Sequence, residues 1–531
     1  QQPGNCPAWA TFLAGWLVYK RSYKVGSWAM SMEPSSWVVP CYSGWSMEEA
    51  AAWSSEDRIS FQTSLPSHSD SVQLQVVEYA SPATPTQDTC SDQDQVLKEV
   101  VQAFNADYLD IMEKKMHRFP PSLVDVDGRY KVPVTVAIGP YHHGHPGMLE
   151  AERVKHVAAS QCVTDSGLSL QELYSVVCSV SDDARSLYYH NEAAGKYMGN
   201  DDFLPMMFFD GCFLVQFMRW YYPDRDMHEA LDSYFYAHFE RISTDIMMLE
   251  NQIPWVVVQA IFNLMPPAAS PWLSPWEQFV IKMRSGMKNR EVSNINSDDI
   301  VVDPTYKPPH LLGLVRFYIV GSEDDRPDFK IHEDMPMSLS ISMAELADIG
   351  IELNPKGMQA GLVDMRFSTK PWCFIEFGDL VLPPLYLTEA NATWLVNMAA
   401  FELCKTPHFG EVNPDLVRDK DSAVCSYIHL FAMLLDREQH VHELQKKLVI
   451  DGGGLTSTEA LEYFTCIGKN MRLGTFYLDI ITQIEIFKKT RSRRLRSYLF
   501  LKKYRTTIAA VFSIIVAVVG ILSSLQALKP R

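Results

Sequence analysis

None of the ten cysteines forms a CxxC pair, and the gaps between them are wide and irregular. That absence argues against a zinc ribbon or a thioredoxin-like site. It leaves scattered, reduced core thiols, which favours a cytosolic body. The chain also lacks GxSxG, the P-loop, GxGxxG, HExxH and the protein-kinase set, so the usual nucleophile, phosphate, dinucleotide and zinc-hydrolase devices have no counterpart. "DGGG" at Asp451–Gly454 is not followed by the Lys-Ser/Thr that opens a phosphate-binding helix. No internal repeat is present. Acidic residues are missing from Lys488–Arg531, which holds eleven Lys/Arg, although the whole chain carries a net charge of -17. The rest of the chain is therefore strongly acidic. An acidic body repels phosphates, which argues against general nucleic-acid binding, and the basic end needs a separate explanation.

At 531 residues the chain is long enough for two to four domains or one large irregular one, and 47% hydrophobic content supports a globular core. "TTIAAVFSIIVAVVGILSSLQAL", Thr506 to Leu528, is 23 residues without a charge. At about 1.5 Å per residue it spans a hydrocarbon core of about 30 Å. The preceding "KKTRSRRLRSYLFLKKYR", Lys488–Arg505, has nine basic residues, and only Lys529 and Arg531 follow the span. The positive-inside rule puts the body in the cytosol, and a basic juxtamembrane run attracts anionic headgroups. The apolar run Ala10–Val18 is short, and Lys20 and Arg21 follow it instead of preceding it, so it does not read as a signal peptide.

Residues 1–93, rich in Trp, Ser and Pro, read as a poorly ordered or atypical extension. Asp94–Met116 has helical spacing. In Glu229–Leu264 the residues Leu231, Phe235, Phe239, Ile242, Ile246, Leu249 and Ile253 repeat at helical intervals. Pro254 interrupts that pattern. A first helix is expected to end near Glu250, with Asn251 capping a second and Pro254 in its first turn. Ser270–Gln278 and Asn289–His310 read as loop-rich inserts, where partner specificity would sit. Met335–Leu353 reads as strand then short helix, Trp372–Leu387 as strands, and the segments to Met471 mostly as helix. Asp451–Gly454 reads as a break, and Ser457 and Thr458 as caps. The predicted fold class is mainly α with a few short β-strands. The expected divisions are 1–93, a helical domain 94–487, a juxtamembrane segment 488–505 and the span 506–528.

Two polar constellations invite a catalytic reading. In "VAIGPYHHGHPGMLEAERVKH" the residues His142, His143 and His145 stand beside turn-forming Gly139, Pro140, Gly144, Pro146 and Gly147. They are too close for the i, i+4 pair of a helical metal site, and no Cys or carboxylate clearly completes a set. A structural corner fits better than a metal site or an acid–base site, with Tyr141 packing inward and a histidine bonding backbone carbonyls. In "LENQIP", Glu250 could be a general base. A polar network of Glu250, Asn251 and Gln252 satisfying the broken helix explains the same residues better. Asn391-Ala392-Thr393 is a sequon, usable only if the body enters the secretory pathway.

Four of these stretches, in order, resemble the signatures of the plant-specific family catalogued as domain of unknown function 247. Ile138, Gly139, Pro140, Tyr141, His142, His143 and Gly144, with Met148, Glu152 and Lys155, resemble its IGPYHHG…E…K signature. "FFDGCFLVQF", with Asp210, Gly211, Cys212 and Phe213, is similar to its DGCF segment. Glu250, Asn251, Gln252, Ile253 and Pro254 are similar to its LLENQIPF segment. "LPPLYLTEANATWLVNMAAFE" resembles its P…N…AFE segment. The likeness covers about Asp94–Arg531. The aromatic Pro-Trp run that commonly precedes the span is replaced here by "YLFLKKYR", and residues before Asp94 have no counterpart. The resemblance implies a plant membrane-anchored protein without established catalytic residues. It also implies, for some grass members, a pollen-side recognition role in self-incompatibility. The expectation is therefore a non-enzymatic, membrane-anchored recognition or signalling protein with no cofactor, no metal, no nucleic acid and an unidentified protein partner. The alternatives are a tail-anchored cytosolic scaffold and a hydrolase-type enzyme using Glu250 or the His142/His143/His145 corner.

Overall fold

In the computed structural model, four helices start at Ser/Thr-x-x-Glu boxes, in which the cap side chain accepts from the third helical N–H and the glutamate reaches back. Ser169 and Glu172 open α2 (Leu170–Ser179), and Ser274 and Glu277 open α7 (Pro275–Gly286). Ser342 and Glu345 open α9 (Met343–Ile349), and Thr456 and Glu459 open α13 (Ser457–Asn470). The structure describes residues 115–123, 125–189, 198–221, 227–266, 274–287, 306–321, 341–357, 360–372, 375–405, 419–471, 474–491 and 493–527, all within the unit Pro85–Arg531.

The remaining helices are α1 (Leu149–Ser166), α3 (Ser181–Ser186), α4 (Asn200–Trp220), α5 (Glu229–Asp245), α6 (Trp255–Phe262), α8 (Leu311–Val320), α10 (Glu389–Lys405), α11 (Ala423–Leu434), α12 (Glu438–Lys446), α14 (Thr475–Thr490), α15 (Arg493–Lys503) and α16 (Arg505–Ala527). The protein is mainly helical. Two helices are apolar nearly all round because they are sheathed on every side. α4 packs against α1, α6 and α7, and α10 against α5, α8 and α11. The strands are few and short. β1 (Ile351–Pro355) pairs in parallel with β3 (Ile375–Leu382), and β3 pairs antiparallel with β2 (Arg366–Trp372), in the order β1-β3-β2. β4 (Leu385–Leu387) pairs in parallel with β5 (Ile450–Gly452).

The basic helix α15 is docked on the body. Leu495 of α15 is fully buried, Tyr498 meets Phe377 of β3 at 5.6 Å between ring centroids, and Lys503 pairs with Asp348 at 2.6 Å. α16 follows it. Arg505–Ser524 is the one helix among the described residues long and apolar enough to cross a membrane, and none of it is buried against the body.

Several local expectations are corrected. α5 ends at Asp245 instead of near Glu250, turns occupy 246–250, and Pro254 immediately precedes α6. Phe239, on the expected apolar face, is 41% exposed. Residues 275–278, expected as part of a loop, open α7, because Ser274-Pro275 with Glu277 is itself a start signal. Thr456 caps α13 in place of Ser457 or Thr458, since Glu459 must be the third helical residue to complete the box. β5 occupies part of the expected break, through a pairing with residues over sixty positions away that local pattern cannot reveal. Of the strand and short helix expected over Met335–Leu353, the helix is α9, residues 335–340 lie outside the described residues, and 351–353 belong to β1. The extension 1–93, nearly all of the helix expected over 94–116, and residues 270–273 and 289–305 of the expected partner-specificity inserts also lie outside them.

Candidate functional site

Val134–Gly139 belongs to no helix or strand, and side chains take the place of a ladder. Asp245 accepts from the N–H groups of Val134 at 3.2 Å, Thr135 at 2.6 Å and Val136 at 3.0 Å. Asn251 accepts from Ile138 N–H at 2.6 Å and donates to the carbonyls of Val136 and Asp245, both at 2.9 Å. Lys155 donates to Ala137 O at 2.6 Å, and Gly139 N–H donates to Asp210 at 2.7 Å. A buried backbone needs such partners wherever water is excluded. The chain then turns sharply at Gly139, whose φ is +80°. A Cβ there would strike the carbonyl oxygen of Gln252, so both the conformation and the close approach require glycine.

Lys155 is fully buried and also donates to Asp210 and Glu152, each at 2.6 Å. Burial works to lower its pKa, but the two carboxylates outweigh burial and hold it above the ordinary lysine value. Burial pushes Asp210 upward against Lys155 and the Gly139 N–H. The pair bolts α1 to α4. Beside it, Gly211 lets α6 approach, since a Cβ would lie 2.7 Å from Ile261 Cδ1. Cys212 and Phe213 are buried in the same core, and the Cys162 thiol contacts the carbonyl of Cys212 at 3.8 Å. Burial raises the Cys212 pKa well above the thiol range, so it is not a poised nucleophile.

Gln252 donates to Ile246 O at 2.6 Å and Met248 O at 2.9 Å, carbonyls left by the end of α5, and accepts from Leu312 N–H at 3.0 Å. Ile253 and Pro254 are buried behind it. Asn251 does not cap α6; its amide is committed to the extended segment. Glu250 accepts from Phe119 N–H at 2.8 Å and faces the half-exposed Arg118 guanidinium at 3.4 Å, so both its oxygens hold the chain over 118–119 in place. Proton abstraction by Glu250 would require displacing these partners.

At the histidine corner, Pro140 is buried and the half-buried Tyr141 donates to Met116 O at 3.0 Å. Arg118 lies 4.3 Å from the Tyr141 ring centroid. His143 and Gly144 are exposed. His145 accepts from Gly147 N–H at 3.3 Å and caps a short 3-10 turn, so the histidine bonds an amide and not the expected carbonyls. His142 is lowered by burial and by Arg118 and His145, with Glu250 opposing, and its Nε2 has no hydrogen-bond partner among the described residues. No group of three or more metal-ligating side chains occurs among the described residues. Asn391 lies elsewhere, 4% exposed, with its amide donating to Gly286 O at 3.1 Å and Tyr386 O at 2.7 Å. A glycan there would take those hydrogens and that space.

Three segments separated by tens of residues thus meet at one buried junction. Sequence reasoning missed two members. Asp245 is a lone acid ahead of the apolar Ile246–Leu249. Asn397, in the apolar run of α10, accepts from Leu249 N–H at 2.8 Å and donates to Tyr130 O at 2.8 Å and Thr393 O at 2.9 Å. A single amide or acid inside an otherwise apolar run was the available signal. A second buried junction joins Arg316 of α8 to Glu402 of α10 at 2.5 Å; Glu402 also accepts from Val424 and Cys425 N–H at the start of α11.

The profile of the DUF247 family, described as "Plant protein of unknown function", matches residues 116–523. The UPF0481 protein At3g47200 of Arabidopsis thaliana is 24% identical over 392 residues, covering 68% of this chain and 74% of that protein. A second Arabidopsis thaliana UPF0481 protein, At3g02645, is 32% identical over 130 residues, 24% of this chain and 23% of that protein. No solved structure matches.

Proposed function

The chain belongs to the DUF247 family of plant proteins of unknown function, and from that premise we propose that it is a non-enzymatic, membrane-anchored recognition or signalling protein. The observation that carries this reading is a contrast of burial. The polar family-motif residues Asp210, Asn251 and Gln252 turn inward onto the chain's own backbone, whereas none of the apolar Arg505–Ser524 is buried. Residues that must remain free to meet a substrate are not normally committed to backbone groups or to a buried ion pair. The basic flank and the six free cysteines of the described residues support a cytosolic body, hence a tail-anchored scaffold for other proteins. In its finer form the proposal gives the chain the pollen-side recognition role implied for some grass members. Its loss from pollen should then alter self-rejection.

The test is fractionation. The full-length protein should stay with membranes through an alkaline carbonate wash, and deletion of residues 506–528 should release a folded body. Continued pelleting of the deletion counts against the anchor. The hydrolase alternative is addressed with Glu250→Gln: lost function at unchanged abundance and melting temperature would favour chemistry.

A further inference from the structure

A cleft of about 740 Å³ opens between the last two turns of α14 and the β2–β3 hairpin, just before the juxtamembrane helix α15. Its volume is in the range of ligand sites. Gln483, Ile486, Phe487 and Thr490 line it from α14, spaced as one helix face, and Arg491 lines it from the position that ends the helix. Phe367 and Ile375 line it from the sheet, with Phe367 and Phe487 5.5 Å apart between ring centroids. One wall is thus aromatic and aliphatic. The other end holds a half-buried guanidinium whose Nη1 is shut off from water without a hydrogen-bond partner.

An arginine nitrogen removed from solvent and left unpaired is costly, and a bidentate oxyanion is the partner its fork fits. Arg491 has no ion pair among the described residues; Glu376, which also lines the cleft, is not bonded to it. The surrounding Lys488–Arg505 carries only positive charge. Charge complementarity therefore asks for an anion, and the apolar wall asks for a hydrocarbon attached to it. We propose that this cleft binds the phosphate headgroup and upper acyl chain of an anionic phospholipid, with Arg491 on the phosphate and Phe367, Ile375, Ile486 and Phe487 against the chain. The membrane as source of this lipid rests on the anchoring reading above. A bound lipid would hold the base of the body against the bilayer that α16 enters, and would make its orientation depend on lipid charge.

The experiment uses purified full-length protein in nonionic detergent, titrated with dihexanoyl phosphatidylglycerol, dihexanoyl phosphatidylcholine or inorganic phosphate and read by native mass spectrometry. The short-chain lipids are supplied in solution, so the result does not depend on whether α16 anchors the chain; fractionation tests that separately. The expected result is a one-to-one phosphatidylglycerol adduct, weakened about tenfold in Arg491→Gln, the loss of about 1.4 kcal/mol of charge-assisted bonding. Ile486→Asp, at a site 47% exposed and tolerant of change, should weaken it too and covers the case in which Arg491→Gln fails to fold. Inorganic phosphate binding as tightly as the lipid would leave a simple oxyanion site and overturn the lipid assignment. Phosphatidylcholine binding equally well, no adduct at all, or an adduct indifferent to both substitutions would overturn it as well.

Discussion

Two adjacent residues of the same motif should behave oppositely when altered. Asn251→Ala removes the partner of Ile138 N–H and of the carbonyls of Val136 and Asp245, at a side chain with no exposure. Each orphaned buried group costs about 1–3 kcal/mol, so even with relaxation the loss should be about 4 kcal/mol. That is a large share of a domain's usual margin of about 5–15 kcal/mol. Asn251→Asp keeps an acceptor for Ile138 but faces a carboxylate against two carbonyls, and should be no better than alanine. Glu250→Gln still accepts from Phe119 N–H and loses only its pairing with exposed Arg118, worth about 0.5–1 kcal/mol. Urea unfolding of the purified protein, followed by tryptophan fluorescence, separates the cases through midpoint shifts at constant slope. An Asn251→Ala protein within about 1 kcal/mol of the parent, or a Glu250→Gln protein that loses more than it, would refute the reasoning.

Lys155→Met strands Asp210 and Glu152 and should cost about 3–5 kcal/mol; adding Asp210→Leu should recover part of that loss, and a purely additive double variant in thermal unfolding would argue against the buried pair. Burial pushes Asp245 up to about 6 despite its three N–H donors. Unfolded, it titrates near 3.9, so the stability carried by its protonated form is full below about pH 4 and lost as pH rises through about 6, by about 3 kcal/mol. Asp245→Asn should flatten that part of the stability–pH curve, and an unchanged slope would contradict the assignment. His310 is pushed the other way, down to about 3 by burial and by neighbouring His117. Its contribution is full above about pH 6.5 and is lost as pH falls below that, because only the unfolded imidazole then gains a proton. His310→Asn keeps an acceptor for Gly313 N–H at the start of α8, and it should reduce the stability lost between pH 7 and 5 by about 2 kcal/mol.

Much of the fold was legible because helices are local. The apolar spacing within 229–245 and the uncharged Thr506–Leu528 each announce an element within a few turns of chain. The corner at Gly139–Tyr141 and the polar cluster at Glu250–Gln252 were also legible as places needing a structural explanation. Their partners were not. Ile138 and Asn251 bond across 113 positions, and Leu249 and Asn397 across 148, and no periodicity encodes such a pairing. The end of α5 was misplaced for the same reason: apolar spacing continues through Ile246, Leu249 and Ile253, but the backbone leaves the helix so that Asp245 and Asn251 can reach Val134–Ile138. The strand at Ile450–Gly452 was hidden because its partner is β4, not its neighbour.

The measurement to make first is amide hydrogen exchange over Val134–Gly139 by mass spectrometry. This stretch belongs to no helix or sheet, yet Asp245, Asn251 and Asp210 hold the N–H groups of Val134, Thr135, Val136, Ile138 and Gly139. If the motif residues form a structural brace, these amides exchange only through large-scale opening, as slowly as those of α4, and Asn251→Ala releases them. Exchange at the rate of an exposed loop in the parent protein would contradict the brace and return Asp210, Glu250 and Asn251 to candidacy for chemistry.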